Sequence, residues 1–130
     1  YGFAEQMGPI LLTSVMVKKD YLDSNPDLVQ RFCNALAASM KLIRENRAAY
    51  VSAMGAEFAN LDRQVIEAGC TRLLATPGYV PVNPIVSKAE WDASVEHDFL
   101  AGTIRKQLPF EEMVDNRFAQ KATEAFGVVR

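Results

Sequence analysis

Hydrophobic and polar positions along the chain alternate between two kinds of pattern, and the first block is the exception. Ile10 to Val17 (Ile-Leu-Leu-Thr-Ser-Val-Met-Val) is apolar and rich in β-branched residues, bounded by Gly8-Pro9 and Lys18-Lys19-Asp20. A short continuous apolar run between turn signals suits a strand buried on both faces. From Val29 onward the period changes. Val29, Phe32, Leu36, Met40 and Ile43 recur every three or four residues, widened by Cys33 and Ala37, with Gln30, Arg31, Asn34, Lys41 and Arg44 between them. That spacing predicts an amphipathic helix to about Asn46, burying Phe32 and Leu36. Asn25 fits its N-cap, Pro26 its first turn, where a missing N–H costs nothing, and Asp27 the positive end of its dipole.

Arg47 to Met54 predicts a shorter helix stopped near Gly55. A further helix is expected from Asn60 or Asp62 to about Leu74, burying Val65, Ile66, Cys70 and Leu73. Pro77, Pro81 and Pro84 make Thr76 to Val86 irregular, since proline lacks the N–H that a helix or a central strand requires. Ser87-Lys88-Ala89-Glu90 is a capping box, and it opens a helix carrying Trp91, Val95 and Phe99-Leu100. Gly102 falls where a left-handed C′ residue would end it. A last helical region carries Phe110, Met113, Val114, Phe118 and Phe126 and stops at Gly127. The chain thus reads as five helical pieces and one strand. A lone central strand cannot satisfy its own N–H and C=O groups, so its partners would have to come from elsewhere.

Composition narrows the class. The 130 residues are 49% hydrophobic and 23% charged with a net charge of −2, the balance of a globular domain with room for a core. Neither that charge nor the single pair Lys18-Lys19 makes a case for nucleic acid. No apolar run reaches the roughly 20 residues of a membrane helix. The chain begins at Tyr1 with no charged segment followed by an apolar one, so a removed leader or a piece of a longer protein is expected. Cys33 and Cys70 are too few for a disulfide framework and read as small buried hydrophobes whose redox state the sequence leaves open.

Candidate chemistry is sparse. His97 stands in Ser94-Val95-Glu96-His97-Asp98, so a serine, a histidine and an aspartate are close in sequence, but a polar histidine on a helix surface beside Glu96 and Asp98 is the better account of it. There is no Cys-x-x-Cys and no histidine pair at i, i+4, so no metal site is expected, and no Gly-rich turn leads from a strand into a helix to cradle phosphate. Glu111-Glu112 opens a helix, where carboxylates are stabilising without any catalytic duty. Tyr1, Phe3 and Tyr79 are loop aromatics. Thr13 and Ser14 interrupt the apolar run, and hydroxyls in a buried strand need partners. Those partners are backbone or cross-strand groups, or else a ligand in a cleft that the strand crosses.

Taken in order, these segments resemble a known family. Ser14-Val15-Met16-Val17-Lys18-Lys19-Asp20-Tyr21-Leu22 followed by Asn25-Pro26-Asp27-Leu28-Val29-Gln30-Arg31-Phe32, then Ala101-Gly102-Thr103-Ile104-Arg105, then Leu108 to Phe118 with Val114-Asp115-Asn116-Arg117-Phe118, is similar to the solute-binding components of ABC importers for thiamine pyrimidine precursors, sulfonates such as taurine, and nitrate. The similarity runs from about Pro9 to Ala125. It implies an α/β fold of the type II periplasmic-binding-protein kind, two lobes closing on a solute, with this chain mostly helical plus the one strand. On that reading residues 1–9 are a crossover loop and residues 10–130 the C-terminal part of lobe I. Thr13 and Ser14 are the only ligand-binding positions that carry over. The resemblance also implies a periplasmic or lipid-anchored location and docking on an ABC permease, and no cofactor is expected. Self-association of the chain alone is expected from the strand at Ile10 to Val17, whose unpaired edges would template pairing with another chain. A fungal branch of the family forms pyrimidines enzymatically, but its catalytic lysine and histidine fall outside this segment and His97 does not match them. The expected function is therefore capture and delivery of a small anionic or heteroaromatic solute, without catalysis. Two alternatives stand beside it: a free-standing helical interaction module, and an enzyme of the pyrimidine branch.

Overall fold

The computed structural model describes residues 8, 10, 11 and 13–127. Among them the chain forms seven helices: α1 Lys19–Ser24, α2 Pro26–Glu45, α3 Arg47–Glu57, α4 Arg63–Ala75, α5 Lys88–Leu100, α6 Phe110–Met113 and α7 Arg117–Phe126. No strand occurs among the described residues. The expected α/β, periplasmic-binding-protein-like architecture is thereby overturned, and with it the strand at Ile10 to Val17. The described part of that segment is irregular, and Thr13 to Val17 are exposed, Met16 to 87%. The physical reason is the one that makes a solitary strand untenable: β-branched composition favours extended backbone, but only a neighbouring strand supplies the ladder. No other segment among the described residues offers one: the apolar positions lie mostly on helices or in the proline-interrupted stretch Thr76 to Val86. The loop expected at residues 1–9 lies outside the described residues apart from Gly8.

The tightest packing is between α2 and α7. Ala37 of α2 and Ala119, Ala122 and Thr123 of α7 are all buried, Ala122 to 0% exposure. Small side chains on both helices let the backbones approach closely. Thr123 donates its hydroxyl to the Ala119 carbonyl at 2.8 Å, so its polarity is absorbed within the helix. Gln30 of α2 ties the pair together at one end, its amide donating to the Phe118 carbonyl at 3.0 Å and to Asn34 Oδ1 at 3.0 Å. A second small core joins α3 and α4, where buried Tyr50 meets buried Cys70; burial and the neighbouring thiol push the Tyr50 hydroxyl above its ordinary pKa.

Local signals set most helix ends. Pro26 occupies the first turn of α2, Asp62 accepts from the Gln64 N–H at 2.7 Å, and the Ser87–Glu90 capping box is formed on both sides. Gly102 (φ 73°) and Gly127 (φ 80°) take the left-handed backbone that releases the chain from α5 and α7. Two boundaries differ from expectation. The α3 helix runs through Gly55 to Glu57, since a glycine inside a helix costs only about 1 kcal/mol and the Phe58 N–H still reaches the Met54 carbonyl. The last helical region breaks into α6 and α7 around Val114 to Asn116.

Side chains fasten the irregular segments to this helical frame. Asn116, just before α7, accepts from the Val86 N–H at 3.1 Å and donates to the Val86 carbonyl at 2.8 Å, serving both backbone groups as a neighbouring strand would. Ser94 on α5 does the same for Leu11, accepting its N–H at 2.7 Å and facing its carbonyl at 3.2 Å. Arg44 of α2 donates to the Val80 carbonyl, and Trp91 Nε1 to the Leu108 carbonyl at 3.1 Å. The proline-rich segment is thus irregular yet anchored at Val80 and Val86.

Candidate functional site

Thr13 and Ser14 lie on the exposed segment between the Ser94–Leu11 clamp and α1. Because both are exposed, water can satisfy their hydroxyls, and the argument from buried polar groups no longer applies to them. Their case as ligand contacts rests on position in the resemblance.

A groove of about 750 Å³ lies between α3 and α4, open to solvent. Its apolar wall includes Val51, Leu61 and Ile66, and its rim carries Arg47, Arg63 and Glu67. Gly55 lines it too, and a methyl added there would meet nothing nearer than Ile66 Cδ1 at 4.0 Å. Its volume falls within the roughly 300–1,000 Å³ of small-molecule sites, but such sites enclose most of their ligand and this groove does not. Its charges are also engaged. Arg47 donates to the Glu67 carbonyl at 3.1 Å and to Thr71 Oγ1, and Arg63 Nε meets Glu67 Oε1 at 2.8 Å. What the groove offers outward is chiefly apolar surface.

The sequence candidates for catalysis are dispersed. His97 Nδ1 lies 3.6 Å from Asp98 Oδ1 on the exposed side of α5, while the Ser94 hydroxyl donates to the Glu90 and Leu11 carbonyls and accepts from Leu11. Glu111 and Glu112 are exposed in α6. Among the described residues no three His, Cys, Asp or Glu side chains gather as a metal site. Cys33 is half-buried and Cys70 buried, both free. Burial, then the nearby Asp115, raise the Cys33 thiol above its ordinary pKa, which disfavours the reactive thiolate. No described helix is long and apolar enough to cross a membrane.

Asp115-Asn116-Arg117 is where sequence reasoning saw a family motif and the structure shows a junction. Asp115 accepts from Arg117 Nε at 3.0 Å and Nη2 at 2.7 Å, which holds its carboxyl below the usual carboxylate range. It also accepts from the Arg117 N–H at 3.1 Å, opening α7, while Asn116 grips Val86. The helix-start pattern of Asp-Asn was the available signal; the distant partner was not visible in sequence.

Comparison with known proteins gives one measured likeness. Over 123 residues, 94% of the chain, it is 27% identical to the Bacillus subtilis (strain 168) protein named "Putative binding protein YtlA". The match spans 36% of that relative, so the chain corresponds to about a third of its length. No family model matches the chain, and no solved structure matches it.

Proposed function

We propose that the chain is part of a solute-binding protein that captures a small anionic or heteroaromatic solute and delivers it to an ABC importer. The observation that carries this reading is the likeness to a binding protein across nearly the whole chain, in agreement with the order of the motifs from Ser14 to Phe118. Residues 10–130 then belong to one of two lobes, the solute lies between them, and Thr13 and Ser14 stand beside it. The protein works outside the cytoplasmic membrane, in the periplasm or on a lipid anchor, and hands the solute to a permease. It does no chemistry on the solute, so binding is tuned by closure and population shift.

The physical state of the chain supports a supporting role over a self-sufficient site. Val15, Met16, Val17, Phe99, Leu100 and Met113 are all exposed, surface of the kind a larger protein covers. The groove between α3 and α4 is open on one side. The 130-residue chain alone should therefore bind taurine, nitrate, an alkanesulfonate or an aminopyrimidine no more tightly than about millimolar by titration calorimetry. A micromolar constant for any of them would mean that the chain holds a complete site, and the divided-site reading would fall.

A further inference from the structure

We draw no further inference here: the strongest candidate, the open apolar groove between α3 and α4 with Val51, Leu61 and Ile66 on its wall, carries none, because its arginines are already engaged by Glu67 and Thr71 and nothing in the structure shows what covers it.

Discussion

Ala122→Asp is expected to come close to unfolding the chain. Ala122 is the most completely buried residue of the α2–α7 contact, and that contact is the tightest packing in the molecule. A carboxylate there is cut off from water between two helices whose buried residues, Ala37, Ala119 and Thr123, carry no charge. Leaving an uncompensated charge in such a place costs about 3–5 kcal/mol. Single domains of this size hold only about 5–15 kcal/mol in all. Few of the described residues are fully buried, so there is little elsewhere among them to absorb the loss. Gln120→Asp, on the exposed side of the same helix, should stay within about 0.5 kcal/mol of the parent. Urea melts followed by circular dichroism separate the two. Equal midpoints would mean that α7 is not docked on α2 as described.

The second large effect is expected at Asn116. Asn116→Ala removes an acceptor and a donor together and leaves the Val86 N–H and carbonyl unpaired in a partly buried place. Each orphaned group costs about 1–3 kcal/mol, reduced here by partial access to water, so a loss of about 2–3 kcal/mol follows. Asn116→Asp keeps the acceptor for the Val86 N–H and loses the donor, and should fall between the two. Hydrogen exchange locates the effect: the Val86 amide should exchange faster in the alanine variant than in the aspartate variant. If both variants exchanged alike there, Asn116 would not be the clamp.

These two residues also mark what the sequence could and could not reveal. The α2 and α5 helices were legible because their signals are local: Asn25-Pro26-Asp27 starts one, Ser87 and Glu90 start the other, and Gly102 and Gly127 hold the backbone angles that end α5 and α7. What depends on distant partners was not legible. Ile10 to Val17 has the composition of a strand, but composition cannot provide a neighbour, and the segment is instead pinned by Ser94 at Leu11. The short α1 has no side-chain cap to announce it. Periodicity identified α2 as amphipathic but not which apolar face is covered. Phe32, expected in the core, is half exposed, and the α7 contact falls on the small residues around Ala37. Ser94 and Asn116 read as ordinary polar positions until the structure shows the backbone groups 83 and 30 residues away that they serve.

The same limit governs the candidate site. Thr13 and Ser14 drew attention as polar interruptions of a supposed strand, and exposure removes that ground while leaving their place in the motif order. The α3–α4 groove could not be foreseen, because Val51 and Ile66 come from different helices and Gly55 looked like a stop. Neither place closes around a ligand within the described residues, in accord with a chain that matches about a third of a longer binding protein.

The central claim, that this chain serves in binding and delivering a solute without altering it, is tested most directly on a longer protein that contains it. Titration calorimetry with a panel of sulfonates, nitrate and aminopyrimidines, followed by chromatography of the recovered solute, gives both halves of the answer. The account predicts at least one solute bound in the micromolar range and recovered unchanged. No binding across the panel, or a solute recovered as a different compound, would contradict it.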